Sequence, residues 1–447
     1  SVSHAVGTLV KLIEACSMDS DRLTMQRIAV DCKAPDVLLH VVDRLCAAAE
    51  EDFQLFEFDA ACAASMRALG LLAAYVPESS TPLVLRCVHI SVIKHLPKAQ
   101  VEAWLMCVAL LQVEADSEVA APFKFTRELA EDSRLLAALT DALKSNTLEV
   151  AMASARTLAL LLELHDSASQ AALQERPLLP AILVKQAAVE KKGPKAACLL
   201  ELSRHLSRTL AALAAKDEGG RKKAEEAGAA LTMGSLLAEG DVSDPMWEAA
   251  SALGSLKIAS PDKAILLKDS KVVHALKAMS GSAIPKVRLS AALAIGSLVS
   301  GSGSAAIHAT GAGLPPVLVE SMASSLDLLK DSLGVLPTTK GREADALRCA
   351  EACIAALGQL AKLGGEPTCS ATMESGIDLL NEIVKLMSWE KLRIPALLFV
   401  QCLMENHVKV PQDQQCRMLR HLQAALDTTA DVRARKALSK LRSTLPS

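Results

Sequence analysis

A six-residue pattern recurs along the 447-residue chain, and its spacing constrains the fold more than any other feature. The pattern is any residue, Ala or Thr, Leu or Ile, a small residue, any residue, then Leu. It reads Arg67-Ala-Leu-Gly-Leu-Leu, Arg156-Thr-Leu-Ala-Leu-Leu, Arg208-Thr-Leu-Ala-Ala-Leu, Ser251-Ala-Leu-Gly-Ser-Leu, Leu293-Ala-Ile-Gly-Ser-Leu, Ala355-Ala-Leu-Gly-Gln-Leu and Lys436-Ala-Leu-Ser-Lys-Leu. Weaker copies sit at Val108-Ala-Leu-Leu and near Leu397. With the third residue as a ruler, the copies fall at 69, 110, 158, 210, 253, 295, 357, 397 and 438, in steps of 41, 48, 52, 43, 42, 62, 40 and 41. A regular period of this length is the signature of stacked helical repeats, which run to about 40–47 residues per unit in the two- and three-helix classes.

The chemistry of the pattern agrees. Its Leu, Ala and second Leu are three to four apart, so they form one stripe on a helix. A unit of two or three helices cannot bury such a stripe alone and must stack on its neighbours. The small residue (Gly70, Gly254, Gly296, Gly358, Ala159 or Ala211) lets the next helix approach. Glycine inside a helix costs about 0.5–1 kcal/mol relative to Ala, so close packing is its compensation, and Gly296→Leu is expected to destabilise more than a surface change. Composition points the same way. Apolar residues make up 51% of the chain but aromatics only 2%, with one Tyr, three Trp and six Phe. Helix formers fill nearly every segment, and the alternating β-branched runs of strands are scarce.

Some 17–19 residues after most rulers comes a Gly- or Pro-marked helix start, as at Glu226-Ala-Gly228, Thr310-Gly-Ala-Gly313-Leu-Pro-Pro, Glu374-Ser-Gly376 and Glu175-Arg-Pro-Leu-Leu-Pro180. Proline is tolerated in a first turn because its missing N–H would be unpaired there. The long step from 295 to 357 contains Gly334, Pro337 and Gly341 and reads as an inserted loop over 324–345; Glu190-Lys-Lys-Gly-Pro-Lys195 reads as a second insertion.

The succession of Glu-Ala-Gly-Ala, an apolar helix, a turn, and Lys286-Val-Arg-Leu-Ser-Ala-Ala-Leu-Ala-Ile-Gly-Ser-Leu298 resembles the armadillo repeat, with the HEAT repeat as the near alternative. Asp431-Val-Arg-Ala-Arg-Lys-Ala-Leu-Ser-Lys-Leu441 resembles it nearly as well, and the resemblance covers roughly 53–441. It implies an all-α chain: a right-handed α-solenoid of about nine to ten repeats over 1–447. Capping helices would occupy 1–52, repeats 53–323, the inserted loop 324–345, and C-terminal repeats with a cap 346–447.

In that family the helix carrying the pattern lines a concave groove. Importin-like members place Trp at the first position and Asn four later, to clamp a basic peptide. Here the first positions are Arg67, Arg156, Arg208, Ser251, Leu293, Ala355 and Lys436, and neither Trp104, Trp247 nor Trp389 begins a Trp-x-x-x-Asn. The resemblance therefore implies a groove without that array. Arg67, Arg156 and Arg208 share one repeat position, with Arg204 one turn from Arg208. Arginine grips carboxylates and phosphates bidentately, so these four, with Trp247 as an aromatic contact, are the candidate partner-binding residues, and an acidic or phosphorylated segment is the partner that fits. The alternative is solvated arginine paired to Glu or Asp within the repeats.

Other chemistry finds little footing. The formal net charge is −3, from 48 basic and 51 acidic residues, without the basic excess of a nucleic-acid binder. The apolar stretch Ala60–Val76 is broken by Arg67 and the next, Trp104–Val113, is ten residues long, short of a membrane span. No G-x-x-x-x-G-K-[ST] loop, dinucleotide fingerprint or nucleophile elbow occurs, so no cofactor and no enzymatic activity is expected. Twelve cysteines are scattered singly, which suits free thiols in a reducing compartment. Cys349 and Cys353 share a helix face and could hold half a metal site, though core thiols are the simpler reading; Cys369 reads as a loop thiol. Phe53, Phe56 and Phe58 cluster, as do Phe123 and Phe125, as core plugs or docking patches.

The chain is therefore expected to be a non-catalytic scaffold or adaptor, a subunit of a larger assembly, binding protein partners along the groove. A regulatory solenoid belonging to a multidomain enzyme, or a co-chaperone or cargo adaptor, are the rivals. The cytoplasm is the expected location. The interior of an organelle is the alternative, since the sequence opens on Ser1 and a targeting segment could precede it.

Overall fold

The protein is described from a computed structural model covering residues 19–50, 55–75, 97–116, 124–145, 147–164, 197–216, 218–239, 246–329, 341–373 and 390–406, with single residues within 6–14 and 85–88. The chain divides into two compact units, Ser1–Gly220 and Arg221–Ser447. Among the described residues every regular element is a helix, and no helix is long and apolar enough to cross a membrane.

In the first unit the helices are α1 (Asp19–Asp31), α2 (Ala34–Glu50), α3 (Leu55–Leu71), α4 (Pro97–Asp116), α5 (Lys124–Glu131), α6 (Ser133–Leu143), α7 (Leu148–Leu164) and α8 (Ala197–Lys216). The boundary to the second unit falls in α9 (Glu218–Glu226). There follow α10 (Ala229–Glu239), α11 (Trp247–Ser255), α12 (Ser260–Lys268), α13 (Ser270–Ser280), α14 (Pro285–Val299), α15 (Gly303–Gly311), α16 (Leu314–Asp327), α17 (Arg342–Met373) and α18 (Glu390–Glu405).

The repeat is a three-helix unit. A short helix, a second helix and a longer third helix follow one another in α12–α13–α14 and again in α15–α16–α17. The recurring pattern lies on the third helix each time. Third helices pack on third helices, as α3 on α4, α4 on α7 and α7 on α8 in the first unit, and α11 on α14, α14 on α17 and α17 on α18 in the second. The ruler residues Leu69, Leu158, Leu210, Leu253, Ile295, Leu357 and Leu397 are all buried. In α4 the register expected from the sequence is two residues out: Leu110 is only partly buried, whereas Val108 and Leu111 are buried. A β-branched residue at the ruler position, outside the Leu/Ile pattern, hid this copy.

The close approach expected at the pattern's small residue is made at Gly254, whereas at Gly296 and Gly358 a Cβ would find nothing nearer than 3.6 and 4.0 Å. A Cβ on Gly254 would stand 2.6 Å from Leu293 Cβ and 3.0 Å from the Leu293 carbonyl carbon, so α11 and α14 touch backbone to side chain. Polar groups lock the same layers. Thr157 Oγ1 donates to Trp104 O at 3.0 Å, and Ser297 Oγ donates to Leu256 O at 2.7 Å. Asp59 Oδ1 on α3 accepts from Ala99 N at 2.7 Å, capping the first turn of α4 from the neighbouring layer.

The junction between first and second helices is made in two ways. Gly228 and Gly313, with φ of 76° and 70°, enter α10 and α16 through the left-handed region. Asp132 and Asp269 instead cap α6 and α13, their side chains accepting from Arg134 N and Lys271 N, both at 2.9 Å. Lys33, at φ 58°, occupies the left-handed position before α2 without being glycine.

Several sequence expectations meet the structure here. Within the segment read as an insertion, α16 continues to Asp327 and α17 opens at Arg342; residues 330–340 lie outside the described residues. So do Phe53, Phe123, 175–180, 190–195, 374–376 and 431–441, along with the side chains of Phe56, Phe58 and Phe125. Cys369 is not a loop thiol: it is buried in the part of α17 that follows a break at Gly365, where φ is 66° and ψ is −152°. Cys32, Cys62, Cys107, Cys349, Cys353, Cys369 and Cys402 are free thiols.

Candidate partner-binding face

The third helices of the first unit bring most of the candidate residues onto one succession of layers. Arg67 projects from α3 and is exposed. Its Nη2 lies 2.6 Å from Glu14 Oε1 and its Nη1 lies 3.7 Å from Glu102 Oε1 on α4. The hydrogen bond that Arg67 donates to Glu14 raises the Arg67 pKa. Burial pushes the Glu102 carboxyl up, against the pull of Arg67. Two carboxylates thus share one guanidinium in the wall of a cleft of about 530 Å³. Val10, Ala63, Ala64 and Val101 are its apolar lining residues, and Lys11, Lys98 and Glu149 also line it.

Glu149 begins α7, and Arg156 lies seven residues further along it, about 10 Å at 1.5 Å per residue. Arg156 is half-buried and has no ion-pair partner among the described residues. On α8, Arg208 forks onto Glu163 of α7, with Nε to Oε1 at 2.9 Å and Nη2 to Oε2 at 2.6 Å. Arg204 is half-buried one turn earlier on the same helix.

Between these arginines lies His205, which the sequence did not single out. It is 8% exposed, and among the described residues neither ring nitrogen has a hydrogen-bond partner; a carboxylate oxygen of Glu201 is 3.6 Å from Nε2. Burial lowers its pKa to about 4, helped by the positive charges of Arg208 and Arg156. His205 is therefore neutral at pH 7, with the charges of Arg208 and Arg156 adding to burial in disfavouring its protonated form. The hydroxyls of Ser203 and Ser207 on the same helix are also buried, without hydrogen-bond partners among the described residues.

Arg67 sits apart from this cluster, against Glu14 and Glu102. Trp247 belongs to the second unit, where it opens α11, half-buried, with Lys286 Nζ 4.4 Å from its ring centroid. That geometry is a cation–π contact.

For Arg67 and Arg208 the structure shows the alternative the sequence offered, pairing to Glu within the protein, but the sequence did not say which carboxylates. Glu14 is 53 residues from Arg67. Glu163 was within reach: it falls five residues after the ruler Leu158, facing the first pattern position of the next copy. The signal becomes readable once the register is known.

An engineered protein of known structure matches the chain with a TM-score of 0.62 at 19% identity, covering 98% of each chain. The fold is that of an all-helical repeat protein built of three-helix units. A second engineered protein matches at 21% identity over 61% of this chain and 97% of its own, with a TM-score of 0.45. A designed armadillo repeat protein, solved in complex with a (KR)4 peptide, matches at 17% identity over 60% of this chain and 99% of its own, with a TM-score of 0.42. No family model and no curated protein matches the chain. At these identities the likeness concerns the fold, and function has to be argued from the side chains on the solenoid face.

Proposed function

We propose that the protein is a non-catalytic interaction scaffold or adaptor, and that a partner segment lies along the third-helix face of the first unit, from the Arg67 cleft towards Arg156, Arg204 and Arg208. The observation that carries this reading is Arg156. Its neighbours Arg67 and Arg208 are already held by Glu14, Glu102 and Glu163, whereas Arg156 is half-buried with no carboxylate among the described residues. A guanidinium desolvated this far gains from an incoming carboxylate or phosphate, which it can take bidentately. An acidic or phosphorylated segment is the partner of that chemistry. Trp247, with its face already covered by Lys286, is the candidate contact in the second unit. The free thiols fit a reducing compartment, and the cytoplasm is the location proposed.

The test is selection from a displayed library of acidic and phosphorylated peptides, followed by affinity measurement on variants. Arg156→Glu is expected to weaken the selected peptides at least tenfold. Lys144→Glu, on an exposed helix end already paired with Asp141, serves as the control and should leave them unchanged. Equal affinity for wild type and Arg156→Glu would refute the reading.

A further inference from the structure

Three helices of the second unit, α14, α16 and α17, enclose a polar cluster in an otherwise apolar core. Arg288 is only 3% exposed. Its Nη1 donates to Ser282 O at 2.6 Å, and its Nε and Nη2 donate to Ser325 Oγ at 3.3 and 3.2 Å. Ser325 Oγ donates in turn to Ser321 O at 2.8 Å. Ser321 Oγ lies 3.7 Å from Cys349 Sγ, which lies 4.0 Å from Cys353 Sγ. Both sulfurs belong to fully buried side chains on one face of α17.

Arginine keeps its charge in any protein environment, yet among the described residues its hydrogen-bond acceptors here are a carbonyl and a hydroxyl, both neutral. A buried guanidinium without a counter-charge is strongly unfavourable. The two thiols are the groups in the cluster that can turn negative: their mutual hydrogen bond holds Cys349 below the usual thiol range, whereas the same contact and burial push Cys353 well up, so its proton has to be displaced by the ion itself. A disulfide is not what the helix favours. Residues four apart on a helix hold their Cβ atoms about 5–6 Å apart, whereas a disulfide needs about 3.5–4.5 Å. A bridging ion suits the spacing better. At a metal–sulfur bond of about 2.3 Å, sulfurs 4.0 Å apart subtend about 120° at the metal.

We infer that Cys349 and Cys353 form a binding site for one soft monovalent d10 cation of the Cu(I) class, with Arg288 as its buried counter-charge. Soft thiolates select such ions, and two sulfurs at this angle would hold one in a bent two-coordinate geometry. Binding breaks two S–H bonds, forms two S–metal bonds and releases two protons, with no electron transferred. Two thiolates, one monovalent ion and one guanidinium sum to zero charge. Zinc would leave the pocket positive. A closed zinc site also takes four protein ligands, and among the described residues no group of three or more His, Cys, Asp or Glu is placed to hold a metal.

The experiment supplies Cu(I) as its bathocuproine disulfonate complex under reducing, oxygen-free conditions and follows loss of the chelate colour. Wild-type protein is expected to withdraw one tightly held equivalent more than Cys349→Ser/Cys353→Ser. Arg288→Met should weaken that equivalent at least tenfold without changing the rest. Crystals of the loaded wild-type protein should show an anomalous peak at the copper edge between the two sulfurs, and this holds whether or not the double variant folds. Equal stoichiometry in a folded double variant, an unaltered affinity in Arg288→Met, or copper found only elsewhere would each overturn the inference.

Discussion

Gly254 and Gly296 occupy the same place in consecutive copies of the repeat, yet the structure separates them sharply. A methyl at 254 would meet Leu293 Cβ at 2.6 Å, the Leu293 carbonyl carbon at 3.0 Å and Ala294 N at 3.2 Å. Two of these are backbone atoms and cannot rotate away, so α11 and α14 would have to part. Overpacking of this kind costs about 1–3 kcal/mol, against the roughly 0.5–1 kcal/mol that Ala gains over Gly inside a helix. Gly254→Ala is therefore expected to lose on the order of 1–2 kcal/mol. At Gly296 the added methyl meets only Ala356 Cβ, at 3.6 Å, an ordinary contact. Gly296→Ala should therefore gain about 0.5–1 kcal/mol. Gly296→Leu, which carries three further carbons towards Ala356, should lose stability. Urea unfolding followed by circular dichroism, with slopes compared across variants, measures all three. If Gly254→Ala were neutral or stabilising, or if both Ala variants moved together, the layer-to-layer contact argued here would be wrong.

Two further changes probe other parts of the structure. Lys33→Gly relieves a left-handed backbone that disfavours side chains by about 1–2 kcal/mol. Part of that is returned as unfolded-chain entropy, so a gain of up to about 1 kcal/mol is expected in the same unfolding assay. Unchanged or lower stability would remove the strain argument. His205 has its folded pKa lowered to about 4, below its unfolded value near 6.5, so the unfolded chain takes up the proton first. Stability is unaffected above pH 6.5 and falls towards pH 4, by at most about 1.4 kcal/mol per pH unit. His205→Asn should lose less stability than wild type over that window, and parallel pH profiles would contradict the burial of a neutral imidazole.

The period alone carried the architecture, because stacking forces the same buried stripe onto every third helix. That is why Leu253, Ile295 and Leu357 were identifiable as core positions before any coordinates. Where the stripe departs from Leu or Ile, as at Val108, the register slipped by two residues although the helix itself was found. The face was harder to read. The sequence shows that Arg67, Arg156 and Arg208 recur at one position, but not which already have partners. Those partners come from other layers, such as Glu14 on Arg67 and Glu163 on Arg208, so only packing reveals them. The Arg288 cluster was invisible for a related reason. The contacts that join its three helices span 37 residues (Arg288 to Ser325) and 28 residues (Ser321 to Cys349), beyond any local pattern, and only Cys349 and Cys353 stood out as a pair.

The claim beneath all of this is that successive copies of the pattern lie side by side as layers. Spin labels carried on unnatural side chains at Ser251 on α11 and Ala355 on α17, two layers apart, test it without touching the native thiols. With helices about 8–10 Å apart, pulsed dipolar spectroscopy should give one narrow distance distribution near 20 Å. A broad distribution, or one centred beyond about 35 Å, far outside two such helix spacings, would contradict the stacked arrangement.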